Sequence, residues 1–200
     1  MSSILASTSS TFSSNPLWYL TRSTAIVGFL LLTLGTVLGV AATQRSLASR
    51  AWPRFATQAL HRNVNVLGLA FIIIHILTTL LDSYVHVGWL ATLVPFTSSY
   101  RTLSVAAGTL ALDVFLLVAA TGFLRLRMKE RGWRRVHVTA YLAWPLALLH
   151  FIGTGTDGAY ARWGFWIALG SAAAVGAAAW LRLVTPRGPR GPVRSVAGAR

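Results

Sequence analysis

Five apolar runs, each near twenty residues long, divide the chain: Leu17–Ala42, Thr57–Leu81, Leu103–Phe123, Arg135–Ile152 and Tyr160–Val184. A helix of that length crosses a hydrocarbon core of roughly 30 Å. The fourth run is the least hydrophobic and carries Pro145. Aromatic residues sit near the ends of several runs, among them Trp18, Trp52, Trp89, Trp133, Trp163 and Trp180, as in an interfacial belt. The pattern predicts an all-α polytopic membrane bundle of five transmembrane helices over residues 17–184. It is flanked by tails expected to be disordered, a Ser/Thr-rich one at 1–16 and a basic one at 185–200.

Composition agrees with a bilayer rather than water. Hydrophobic residues make up 54% and charged residues 11%, against roughly 25% charged in soluble chains. The four acids, Asp82, Asp113, Glu130 and Asp157, are too few for a surface of mixed charge. The net charge of +14 does not point to nucleic acid, because the arginines cluster in short segments between apolar runs. Arg45, Arg50 and Arg54 lie between the first and second spans. Arg125, Arg127, Lys129, Arg131 and Arg134 lie between the third and fourth, and Arg187, Arg190, Arg194 and Arg200 in the tail. The opposite-side loops hold only Arg101 and Arg162. The positive-inside rule therefore predicts an outside N-terminus and an inside C-terminus, in agreement with an odd number of spans. With no cysteine in the chain, disulfides, thiolate metal sites and cysteine-ligated clusters are excluded.

The candidate chemistry lies in the histidines. Of five, His61 and His75 fall in the second span and His137 and His150 in the fourth, and both spans run from inside to outside. The separations are fourteen and thirteen residues, or about 21 and about 20 Å along a helix. Two parallel helices thus offer one histidine each at an inner depth and one each at an outer depth, pairing His61 with His137 and His75 with His150. Fourteen residues return to nearly the same helix face, whereas thirteen do not; a kink at Pro145 would be one repair.

Ligands for one metal ion sit about one turn apart on a helix, so this spacing does not make a single-ion site. Two zinc sites of two histidines would lack further ligands. Porphyrin iron requires only two axial imidazoles from opposite sides of a flat macrocycle. For a single membrane histidine, interhelical hydrogen bonding is the ordinary role; the matched two-by-two pattern favours two stacked haem groups. With both axial positions filled, such a haem passes electrons and binds no substrate. His86, in the outer loop YVHVGW, reads as an interfacial histidine.

These spacings, with WYLTR at Trp18–Arg22 and WRRVH at Trp133–His137, resemble the ferric reductase-like transmembrane domain. That group includes ferric reductases, the membrane part of NADPH oxidases and the haem subunit of the bacterial methionine sulfoxide reductase system. The likeness extends over about Trp18 to Trp166. It implies b-type haem on His61, His75, His137 and His150 and electron transfer from the inner to the outer side. Relatives that use a nicotinamide carry a flavin and nucleotide domain after the last span. Here about fifteen residues follow it, so the expected donor is a quinol or a separate cytoplasmic reductase.

Other features are weighed against plainer roles. Arg62, Arg134 and Arg135 are candidates to bind propionates of an inner haem, and Arg22, Arg101 and Arg162 of an outer one; anchoring of helix ends explains them equally. Gly68 and Ala143, midway between the histidines, are candidates to let a macrocycle lie near the backbone, and Gly35-x-x-x-Gly39 is equally a helix-packing motif. The segment GTGTDG from Gly153 to Gly158 matches a dinucleotide fingerprint but lacks the flanking strand and the downstream acid, and reads as a turn. Asp113, an acid at mid-span, is expected to face the interior, either in a buried structural hydrogen bond or in a proton-relay or quinol site. The sequence therefore leads to a membrane cytochrome b, probed against a non-redox alternative such as a small transporter, haem carrier or assembly factor. The expected location is the bacterial plasma membrane, with lipid and separate electron donors and acceptors as partners and no nucleic acid.

Overall fold

The computed structural model describes residues 16–43, 54–82, 87–155 and 163–185. The tails at 1–15 and 186–200, His86 and Arg162 lie outside the described residues. What is described is helical, with no strand among the described residues. Helix α1 spans Pro16–Ala42, α2 Arg54–Leu81, α3 Thr102–Phe123, α4 Glu130–Val138, α5 Ala140–Thr154 and α6 Trp163–Val184. Five helical stretches are long and apolar enough to cross a membrane, with α4 and α5 together, Glu130–Thr154, forming the fourth.

Without water in the hydrocarbon, every polar group has to be satisfied within the protein. The backbone does this by being helical. The hydroxyls of Thr24, Thr33, Thr36, Thr78, Thr79 and Thr121 do it by donating to carbonyls three or four residues earlier in their own helices. Pro16 opens α1 at a position where its missing N–H has no helical acceptor to lose.

Helix α1 packs along α2 and α3 along α5, with α6 laid against α1. Their shared core is Phe29, Leu32, Phe115 and Trp144. Phe29 stacks on Phe151 with ring centres 4.8 Å apart and on Trp144 at 6.3 Å. The buried Trp144 indole N–H donates to the Thr33 hydroxyl at 2.9 Å, tying α5 to α1. Large apolar side chains such as Leu67, Ile73, Leu117 and Leu181 point outward, the reverse of a soluble domain.

Two expectations are corrected here. The fourth span is interrupted at Thr139 and not at Pro145. Around Thr139 the bonds tighten to three residues, Thr139 N–H to the Val136 carbonyl and Leu142 N–H to the Thr139 carbonyl. Pro145 sits inside α5, and the carbonyl it crowds, four residues back, belongs to Tyr141 beside the break. Asp113 does not face the interior. It is exposed on the outer surface of α3, because the inward positions of that helix are filled by Ala107, Ala111 and Phe115.

The short 3-10 turn Trp89–Thr92 folds back onto α3, where the Thr109 hydroxyl donates to the Ala91 carbonyl at 2.6 Å. The loop that contains it lies at the same end of the bundle as Arg22 and the C-terminus of α5. For brevity this is the Arg22 side, and the opposite end the α4 side.

The arginine distribution predicts that the α4 side faces the cytoplasm. Because the chain has no native cysteine, Ser99→Cys and Lys129→Cys each give a single thiol. An impermeant maleimide added to intact cells should label the first, and label the second only after permeabilisation; the reverse pattern would invert the topology.

Candidate functional site

Four histidines from α2, α4 and α5 meet as two pairs. The ring centres of His61 and His137 are 6.3 Å apart with planes at 73°, and those of His75 and His150 are 6.3 Å apart with planes at 74°. The two sites repeat one geometry at two depths. The break at Thr139 is what permits it: His137 belongs to α4 and His150 to α5, so each ring is aimed by its own segment. Thirteen residues of unbroken helix would have pointed them to different faces.

Backbone carbonyls of neighbouring helices hold three of the four rings. His61 Nδ1–H donates to the Gly35 carbonyl at 2.8 Å, His75 Nδ1–H to the Thr21 carbonyl at 3.0 Å, and His150 Nδ1–H to the Ser104 carbonyl at 2.9 Å. A carbonyl only accepts, so the partner fixes the tautomer with the proton on Nδ1. Nε2 is then the unprotonated nitrogen with a lone pair to give, the arrangement found in metal-ligating histidines. Interhelical hydrogen bonding thus accounts for one nitrogen of these rings and leaves the other. His137 differs: its Nδ1 is buried with no hydrogen-bond partner, and its ring stacks on Trp133 at 4.7 Å.

Glycines make room for the rings. A methyl group on Gly39 would come within 3.2 Å of His61 Cε1, and one on Gly108 would collide with the His150 ring. Gly35 supplies a carbonyl to His61, and its missing side chain leaves space for Asn65, whose amide donates to the His61 carbonyl at 2.7 Å. The Gly35-x-x-x-Gly39 motif therefore serves both helix packing and the histidine. Gly68 faces Leu31 of α1, so its role is packing against that helix and not space between the pairs. Ala143 is buried in the core.

Around His75 and His150 lies a cavity of about 330 Å³. Its walls are mostly apolar, including Phe29, Leu32, Ile72, Leu112, Phe115 and Phe151. The polar groups on it include Thr21, whose buried hydroxyl oxygen has no partner, together with Arg22 and Asp82. Arg22 lies between two indoles that also border the cavity, 4.8 Å from the Trp18 ring and 5.1 Å from the Trp163 ring. Among the described residues, no cluster of three or more His, Cys, Asp or Glu side chains is arranged to hold a bare metal ion.

The other arginines singled out from the sequence are placed differently. Arg134 bridges Glu130 at 2.8 Å on an exposed face of α4. Arg62 and Arg135 are exposed on α2 and α4. Arg101 donates to the Gly153 carbonyl at 2.5 Å, capping the end of α5, and holds its own backbone in the left-handed region at φ 40°. The first two residues of the GTGTDG segment are the end of α5, so a helix and not a strand precedes it. Sequence reading missed Thr21, Ser104 and Asn65. The first two act through backbone carbonyls, which leave no residue signature.

Residues 16–157 match the family described as a domain of unknown function (DUF8596), and the chain belongs to that family. The match takes in α1 to α5 and with them all four histidines. No curated protein and no solved structure matches the chain.

The crowding at Gly108 gives a structural test. Gly108→Leu should displace His150 and destabilise the detergent-solubilised protein by about 1–3 kcal/mol, as over-packing does. Gly170→Leu, with no neighbouring atom within 4 Å of the added carbon, should leave the thermal midpoint unchanged. Equal midpoints for both variants would mean that the Gly108–His150 contact is not tight.

Proposed function

We propose that this member of the DUF8596 family would hold two b-type haems, one between His61 and His137 and one between His75 and His150, and that it passes electrons across the bacterial plasma membrane. The observation that carries the reading is the ring-centre separation of 6.3 Å in both pairs. Two imidazoles on opposite faces of one iron, each nitrogen about 2 Å from it, have their ring centres about 6 Å apart. A hydrogen-bonded histidine pair without a bridging ion would bring its nitrogens to within about 3 Å, drawing the rings closer.

The donor set fits the group. Among the described residues each pair offers two imidazoles and no third ligand, which suits a macrocycle that supplies four nitrogens itself. Bound there, haem iron supplies one-electron chemistry between its ferric and ferrous states. The chain's own residues do the rest. The Gly35, Thr21 and Ser104 carbonyls orient His61, His75 and His150 and raise their basicity as ligands. The apolar cavity wall would shield a group held by His75 and His150 from water, and Arg22, which lines the same cavity, would be the residue to bind a propionate. Arg62 and Arg135 are the corresponding candidates on the α4 side.

Orientation by the arginine-rich connections has electrons enter on the α4 side, from a quinol or a separate cytoplasmic reductase. They leave on the Arg22 side to an outer acceptor such as ferric iron or a partner enzyme. This is the activity of the ferric reductase-like transmembrane domains that the sequence resembles.

Purified protein should give a b-type reduced-minus-oxidised spectrum with about two haems per chain. His75→Ala and His150→Ala should each lower this to about one, and His61→Ala should remove the other. Haem-free protein, or spectra unchanged in these variants, would falsify the reading. Haem that is lost rapidly and is not reduced by a quinol analogue would identify a carrier instead.

A further inference from the structure

Asp113 is the twelfth residue of the 22-residue helix α3 and so lies at mid-membrane depth. Its side chain is exposed, on the same face as Leu116, Leu117 and Ala120, which recur at helical spacing and are exposed too. On a membrane-spanning helix that face is turned away from the rest of this protein. A carboxyl group in hydrocarbon is costly whether ionised or neutral, and such groups persist where another side chain satisfies them. Among the described residues, other outward-facing polar side chains of the spans, such as Gln58, Arg62 and Asn63, lie nearer the start of their helix; Asp113 is carried outward at mid-span. Among the described residues it is the one acid in the central part of a span.

From this placement we infer that the α3 face built from Asp113, Leu116, Leu117 and Ala120 docks a transmembrane helix of a different protein, one that presents a basic side chain at mid-membrane depth. Charge complementarity selects the occupant. A second copy of this chain cannot supply the counter-charge, because the described lysines and arginines lie toward the ends of the spans: Arg22 early in α1, Arg62 in the first third of α2, the cluster in α4, and Arg182 at the end of α6. Lipid headgroups do not reach that depth. A lysine or arginine on a neighbouring helix does, and its charge complements an acidic side chain at that depth. The flanking Leu116 and Leu117 give the apolar contact on either side, and Ala120 lets a partner backbone approach one turn further along. The inference does not depend on haem: α3 turns Gly108, Leu112 and Phe115 toward the cavity and Asp113 away from it.

The test uses the full chain in phosphatidylcholine vesicles, labelled with a fluorescent donor at Lys129→Cys. The probes are two acceptor-labelled polyleucine transmembrane peptides, identical except for a central lysine in one. Energy transfer to the lysine peptide should exceed that to the all-leucine peptide about fivefold at matched peptide-to-lipid ratio. In Asp113→Leu and Asp113→Asn it should fall to the all-leucine level, with the thermal midpoint unchanged as the check on folding. Equal transfer to both peptides overturns the inference, as does undiminished transfer in Asp113→Leu. Transfer between copies of the chain itself that disappears in Asp113→Leu would assign the face to self-association, and would also overturn it. A full complement of haem with no peptide binding would sink this inference alone and leave the electron-transfer reading standing.

Discussion

A buried imidazole N–H in hydrocarbon has to find an acceptor, and in this protein the acceptors are main-chain carbonyls of the neighbouring helix. That requirement sets the register of α1 against α2. His75 reaches Thr21 and His61 reaches Gly35, and both contacts lie fourteen residues apart on each helix. Two antiparallel helices can satisfy both bonds at once only in a single alignment. The glycines then follow. Gly28, Gly35, Gly39 and Gly68 line the same seam, and at the first three a larger residue would crowd a side chain of the partner helix. The histidines thus fix the helix pair through Nδ1, and the other ring nitrogen is left for the ligand role proposed above.

The second pair of helices meets the same demand less completely. His150 donates to the Ser104 carbonyl, with Gly108 and Gly153 allowing α3 and α5 to close. Eleven residues further back, at Thr139, the helix is broken, and His137 approaches from α4 with its Nδ1 unsatisfied and its ring on Trp133. The break therefore restores the ring's aim at the cost of its hydrogen bond. The two histidine pairs match in separation and differ in how firmly one of their members is held.

Much of this was legible in the sequence. Twenty-residue apolar runs announce helices that cross a bilayer, and the paired depths of His61 with His137 and His75 with His150 follow from run boundaries and helical rise alone. The partners that orient the rings were not legible, since a carbonyl belongs to every residue and carries no mark of its use. The break at Thr139 was hidden for a related reason. Proline advertises itself, but the helix yields near the carbonyl that proline crowds, several residues earlier. Asp113 was misread because α3 is apolar on every side. Where no face is distinctly polar, periodicity does not say which one turns inward.

That uniformity bears on what the exposed acid means. In water an outward carboxylate is unremarkable; within a membrane span it is the costlier placement, because nothing in lipid satisfies it. Leu116 and Leu117 on the same face give α3 no reason to rotate Asp113 inward, because lipid accepts leucine as well as the protein core does. Rotation is opposed instead by Gly108, which must stay under His150, and by Phe115, which must stay against Phe29, Leu32 and Trp144. The site on one side of α3 thus dictates what its other side shows. An acid held outward by constraints it does not share requires its partner to come from elsewhere in the membrane.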